Sequence, residues 1–220
     1  TRRSDSGASV NIESVQRITI SQSTFDNNRA ATGAAIFAWK FDSLALQSCY
    51  FTRNLATSGG GGAIHVSGID ATMVDVTMQD NQATYGGAID LSLQSFNVKN
   101  SQFGYNRANA GSGGVLSVTV LVTDFPRPLL MSFRNCSFVR NFAAQSGGAL
   151  SAFSTGTGPW ELGIISFTLL LDKVYAFDNL AGVITTAVNT AATQIPNLPT
   201  TEDPIIGFTP PVSASVGGFL

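Results

Sequence analysis

One histidine, His65, and a scatter of carboxylates are the side chains through which this sequence could move protons. An imidazole beside a carboxylate can act as an acid–base pair near neutral pH. Clustered aspartates with a nearby Arg or Lys could cleave a glycosidic bond or hold calcium. Asp70, Asp75, Asp80 and Asp90 fall on different faces or turns and make no such cluster, and there is no Asp-Asp pair and no His-rich segment. Cys49 and Cys136 have no Cys or His at metal-ligand spacing. Gly59 to Gly62 lacks the Lys-Ser/Thr that would follow in a phosphate-cradling loop. Asn135-Cys136-Ser137 is the only Asn-x-Ser/Thr triplet, the acceptor pattern for an N-linked glycan.

The whole chain narrows the field further. It has 220 residues, a formal net charge of −2 and only 12% charged residues, which gives no basic field for nucleic acid. With 44% hydrophobic residues it has material for a core, so disorder is excluded. The longest apolar run, Leu162 to Leu171, is too short to cross a bilayer as a helix. The chain opens at Thr1 with no methionine, which predicts a processed form or a segment of something longer.

The elements that position these residues follow from a repeat. Phe25-x-x-Asn28-x-Ala30 precedes Gly33-Ala-Ala-Ile36, and Phe51-x-x-Asn54-x-Ala56 precedes Gly61-Gly-Ala-Ile64. Met78-x-x-Asn81-x-Ala83 precedes Gly86-Gly-Ala-Ile89, and Phe103-x-x-Asn106-x-Ala108 precedes Gly113-Gly-Val-Leu116. Phe138-x-x-Asn141-x-Ala143 precedes Gly147-Gly-Ala-Leu150, and a degenerate sixth unit has Ala176, Asn179 and Ala181. Successive asparagines are 26, 27, 25, 35 and 38 residues apart. Upstream of each Phe the sequence alternates, as in Leu44-x-Leu46-x-x-Cys49-x-Phe51, and the Gly-Gly-Ala-Ile block continues in alternation through Val66. Alternation with period two means strand, and each slip of phase means a bend.

Short repeats of this length cannot bury their own apolar face, so they must stack. The expected fold is all-β: a right-handed parallel β-helix of about six coils with three short strands per coil. Its handedness follows the general rule for parallel crossovers. Stacking at ~4.8 Å turns equivalent residues into columns. Phe25, Phe51, Met78, Phe103 and Phe138 form an internal apolar column. Asn28, Asn54, Asn81, Asn106, Asn141 and Asn179 form a column at a bend, where side-chain amides can bond to one another and to the backbone. Both columns read as scaffold.

This Phe-x-x-Asn and Gly-Gly-Ala-Ile pattern resembles the repeats of the chlamydial polymorphic outer-membrane proteins. It is also similar to right-handed parallel β-helix repeats in surface proteins of algae and other protists. The resemblance runs over residues 7 to 184. It implies a secreted or surface-displayed β-helix used for adhesion or as a structural part, resting on fold analogy.

The division expected is residues 1–190 for the β-helix, then 191–220 for a Pro/Thr-rich connection and the start of a further coil at Gly217-Gly-Phe-Leu220. The gap from the block's last residue to the next strand is 8, 7 and 7 residues after Ile36, Ile64 and Ile89. It grows to 15 after Leu116 and 19 after Leu150, so two long insertions leave adjacent coils at one corner and form a ledge. The ledge would present Phe125, Arg127 and Trp160. With Phe37 and Trp39, which point outward, these are the candidate interaction surface, although burial by protein is the first reading for Phe37 and Trp39. His65 and Asp90 also point outward, on neighbouring coils, where a histidine beside an aspartate ordinarily forms only a solvated pair. Cys49 and Cys136 point inward three coils apart, about 14 Å at the coil spacing, beyond disulfide reach. Asn135 and Ser137 point outward from a strand, so Asn135 is a candidate glycosylation site.

The function expected is a non-catalytic extracellular structural or adhesive segment. The alternative is a carbohydrate-binding or pectin-lyase-like carbohydrate-active β-helix. No enzyme activity, no cofactor, no metal and no nucleic-acid partner are expected. The partners expected are neighbouring domains or subunits that cover the open ends, with carbohydrate a further candidate, at the cell surface.

Overall fold

The computed structural model describes residues 9–121, 129–155, 167–181 and 206–209. The strands there are assembled into three parallel sheets of ten, six and six strands. The chain winds through them in turn. The second coil shows the pattern: Ile36–Gln47 in sheet A, Tyr50–Thr52 in sheet B and Leu55–Ala56 in sheet C. The third coil repeats it with Ile64–Val74, Thr77–Gln79 and Gln82–Ala83. Each strand pairs in parallel with its equivalents on neighbouring coils, for example Phe51 with Met78 and Ile64 with Ile89. This is a parallel β-helix. The described residues form six coils, and the strand Ile206–Thr209 pairs with Leu150–Phe153 as the first strand of a seventh. That strand precedes Gly217-Gly-Phe-Leu220, which lies outside the described residues.

The coil is divided differently from the sequence reading. The Gly-Gly-Ala-Ile strand and the Leu-x-Leu strand do not meet at a corner; both belong to sheet A and fuse in the first three coils. In the second coil the join is a bulge between Trp39 and Phe41, with Lys40 left-handed at φ 57°. The third side is instead the two-residue strand after each asparagine, such as Arg107–Ala108. Three bends per coil explain this. One precedes the inward residue at Cys49, one precedes Asn54, and one sits at the glycine corner. Ser48, Arg53 and Gly61 hold positive φ of 51°, 54° and 67° there. A left-handed residue reverses the local direction in one step, which costs roughly 1–2 kcal/mol for a residue with a Cβ. Ladder hydrogen bonds offset it: Ser48 N–H donates to Val74 O and Arg53 N–H to Gln79 O.

The core is the inside of the coil. Phe51, Met78, Phe103 and Phe138 are fully buried. Phe25 stacks on Phe51 at 4.9 Å and 4°, and Phe103 on Phe138 at 4.9 Å and 11°. Cys49 and Cys136 are buried free thiols, and burial pushes the Cys136 thiol above its usual range.

The asparagine column is a continuous ladder. Asn54 Oδ1 accepts from the Asn28 N–H at 3.1 Å and from Asn28 Nδ2 at 2.8 Å. The same two bonds recur from Asn54 to Asn81, Asn81 to Asn106, Asn106 to Asn141 and Asn141 to Asn179. The second Nδ2 hydrogen goes back to the preceding coil. Asn54, Asn81, Asn106, Asn141 and Asn179 donate to the carbonyls of Phe25, Phe51, Met78, Phe103 and Phe138. Buried amides with every group paired are stabilising, and the ladder ties the two columns together.

Candidate functional site

The outward face of sheet A carries the residues with chemical potential. Register places Phe37, His65, Asp90, Ser117 and Ser151 side by side on successive coils. His65 Nδ1 lies 2.7 Å from Asp90 Oδ2, and the Phe37 ring stacks on the imidazole at 5.1 Å and 9°.

This row is not a solvated surface, which corrects the sequence reading. Asp90 is 4% exposed and Ser117 is 0% exposed. The cover is the glycine corner. The left-handed glycine folds the chain back over the second residue of the next coil's strand. A Cβ on Gly33 would stand 2.9 Å from His65 Cβ, and one on Gly86 would stand 3.1 Å from Ser117 Cβ. Over Asp90 the cover is Gly60 with Tyr85. A Cβ on Gly60 would reach 2.2 Å from the Tyr85 ring and 2.6 Å from Asp90 Oδ2. Burial pushes the Tyr85 phenol up, the Asp90 charge pushes it further, and a hydrogen bond with the Gly60 backbone pulls it back. Tyr85 was not singled out in the sequence. Its signal is an aromatic residue directly before Gly86, where the other coils have Thr32, Gly60, Ser112 and Ser146 before Gly33, Gly61, Gly113 and Gly147.

The chemistry this row can perform is limited by its order. Asp90 orients the imidazole through Nδ1, as in a relay. A hydrolytic relay places histidine between carboxylate and hydroxyl. Here the carboxylate stands between His65 and Ser117. Asp90 Oδ1, Ser117 Oγ and Ser151 Oγ have no hydrogen-bond partner. Among the described residues no three His, Cys, Asp or Glu side chains converge on a metal position. Of the other aspartates, Asp75 and Asp80 occupy different bends of the third coil.

One position further along the strand the face is open. Trp39 is 39% exposed and pairs in register with Glu13 and Ser67. Among the described residues no corner folds over this second row, so cover for Trp39 would have to come from a neighbouring segment. The expectation of burial holds in part for Phe37, half-buried against His65. Phe125, Arg127 and Trp160 lie outside the described residues. Their insertions leave from paired strand ends, Leu121 beside Thr155, and return at Leu129 beside Phe167. The sequence reading also passed over the sixth coil, where Leu170, Tyr175, Phe177 and Leu180 are all exposed. Tyr175 and Phe177 flank the inward Ala176, so alternation alone marks them as outward.

Asn135 stands at the bend between the strands Leu129–Arg134 and Ser137–Val139, with φ 52°, instead of within a strand. It is exposed, while Cys136 beside it is buried.

Residues 48–67, from the second Phe-x-x-Asn unit through the following Gly-Gly-Ala-Ile strand, match the Chlamydia polymorphic membrane protein repeat. The chain is also 28% identical over 134 residues to the metabotropic glutamate receptor-like protein R of Dictyostelium discoideum. That similarity spans 60% of this chain and 8% of the Dictyostelium protein. No solved structure matches.

Proposed function

We propose that the chain is a non-catalytic β-helical segment of a longer surface protein, acting in structure or adhesion outside the cell. The observation that carries this reading is the allocation of the side chains. The interior and the bends are taken up by stacking phenylalanines and the paired amide ladder. The variable residues are left on broad outward faces, the arrangement of a display scaffold. The repeat match and the receptor-like relative support placement at a surface. Residues 1–190 form the helical segment in this reading, and 191–220 connect to a further coil. Neighbouring coils, from adjoining chain or another subunit, cover its ends. Antibodies raised against the chain should label intact cells of its source. Labelling only after permeabilisation would overturn the reading.

One observation favours carbohydrate as the thing held. An exposed indole beside a carboxylate and a hydroxyl, here Trp39 with Glu13 and Ser67, offers a stacking plane and polar partners for a sugar ring. Binding of the chain to a glycan array that is lost in Trp39→Ala would support this second reading.

A further inference from the structure

We infer that Asn135 is an N-glycosylation site, so that one outward bend of the fifth coil bears a glycan. The inference rests on the extracellular reading and on passage through a eukaryotic secretory pathway. The geometry suits the modification in three ways. Asn135 is exposed at a left-handed bend, where its amide lies on the surface of the coil beside Asn100. Cys136, the middle residue of the triplet, is buried, with its thiol against Val98 O and Arg134 O, so it leaves the acceptor face clear. Ser137 lies on the outward side of the sheet B strand, half-buried.

Attachment also preserves the local bonding. Asn135 Nδ2 donates one hydrogen to Asn100 Oδ1 at 3.0 Å. In the transfer from a lipid-linked oligosaccharide diphosphate, Nδ2 bonds to the anomeric carbon and gives one proton to a base of the transferase. The bond from that carbon to the diphosphate oxygen breaks, and the lipid diphosphate leaves with the electron pair. One N–H remains on Nδ2, enough for the bond to Asn100. The bend itself is held by the backbone, since Asn135 N–H donates to Asp172 O at 2.8 Å.

The fourth coil supplies an internal control. Asn100 occupies the equivalent bend with φ 51° and is also exposed, but Gln102 stands where the acceptor triplet needs Ser or Thr. The chain should therefore be produced behind a cleavable secretion signal in a eukaryotic host and mapped by mass spectrometry before and after peptide N-glycosidase. The expected result is one glycan, on Asn135, with Asn100 unmodified. Ser137→Ala should abolish it, and Ser137→Ala combined with Gln102→Ser should move it to Asn100. Unmodified Asn135 in the secreted, folded protein would overturn the inference. So would a glycan that persists on Asn135 after Ser137→Ala. Surface labelling of source cells separates the two ideas: labelled cells whose protein carries no sugar would sink this inference alone. A modified secreted protein with unlabelled source cells would sink the extracellular reading alone.

Discussion

Replacing Asn106 by alanine removes one internal rung of the amide ladder. Three buried groups then lose a partner: the Asn81 N–H, one hydrogen of Asn81 Nδ2, and the Met78 carbonyl. Asn141 Oδ1 keeps the bond from the Asn106 backbone N–H. Each unsatisfied buried group costs roughly 1–3 kcal/mol. Some of that is recovered if water enters the space vacated by the side chain, so a loss of about 4 kcal/mol is expected. The same change at Asn28 is the comparison. Asn28 is half-buried, its Oδ1 is met by the Ser9 hydroxyl, and among the described residues its Nδ2 donates only to Asn54 Oδ1, which also has the Asn28 N–H. Water can replace what is lost, and about 1 kcal/mol is expected. Equilibrium urea unfolding followed by circular dichroism measures both. With a slope of about 2 kcal/mol/M, Asn106→Ala should lower the midpoint by ~2 M and Asn28→Ala by ~0.5 M. Equal losses from the two substitutions would refute the idea that the rungs act as buried, mutually satisfying amides. Asn106→Asp extends the test, since it sets a second carboxylate oxygen against Met78 O and Asn141 Oδ1. Both surroundings and burial favour the protonated acid, so this variant should gain stability relative to wild type as the pH falls below its raised pKa.

Gly87→Ala should prevent folding or open the stack, because its Cβ would lie 2.1 Å from Gly114 O and 2.5 Å from Arg107 N; Gly104→Ala, where the nearest atom is 3.7 Å away, should leave the thermal midpoint within a few degrees. The folded state raises the Cys136 and Tyr85 pKa values by burial, so both contributions are fully present at neutral pH and are lost as the pH climbs through the ordinary thiol and then phenol ranges. Stability measured from pH 7 upward should fall accordingly, and Cys136→Ala should remove the earlier part of that fall. Asp90→Ser, which places at Asp90 the residue type found at Ser117 and Ser151, should preserve the fold; a loss of more than about 2 kcal/mol would mean that the His65 contact is a major stabilising element.

The parts of this molecule that could be read from the sequence are those where stacking demands the same side chain on every coil. A phenylalanine on a phenylalanine and an amide on an amide must repeat, so the Phe51 and Asn54 columns declare themselves. The left-handed bends do not repeat by type. Asn27, Arg53, Asp80, Tyr105, Arg140 and Asp178 all hold the same conformation before the ladder asparagine. What the first five share is the backbone hydrogen bond to the next coil, which leaves no mark on residue identity. Alternation puts the His65–Asp90 row on the outside, but outside does not mean wet. The corner that covers it is made by glycines of the preceding coil, joined over Asp90 by Tyr85, and alternation along one strand carries no information about that fold-back. Trp39, two positions beyond Phe37, escapes the cover, and the sequence offers no difference between the two. The long insertions match no other coil, so the repeat could locate their ends and nothing more.

The amide ladder runs one way. Along all six coils the rung nearer the amino end gives hydrogens and the rung nearer the carboxyl end receives them. The stack therefore has an arrow, each Oδ1 turned toward the amino end and each donating Nδ2 toward the carboxyl end, with the Ser9 hydroxyl meeting Asn28 Oδ1 at the first rung. A two-fold axis across such a column would oppose oxygen to oxygen in one sense and hydrogen to hydrogen in the other. Only tail-to-head contact continues the pattern. Such contact never closes on itself by a two-fold, so whatever extends this column lengthens it in a line. Coils that keep the ladder can therefore be added to this stack in one sense only.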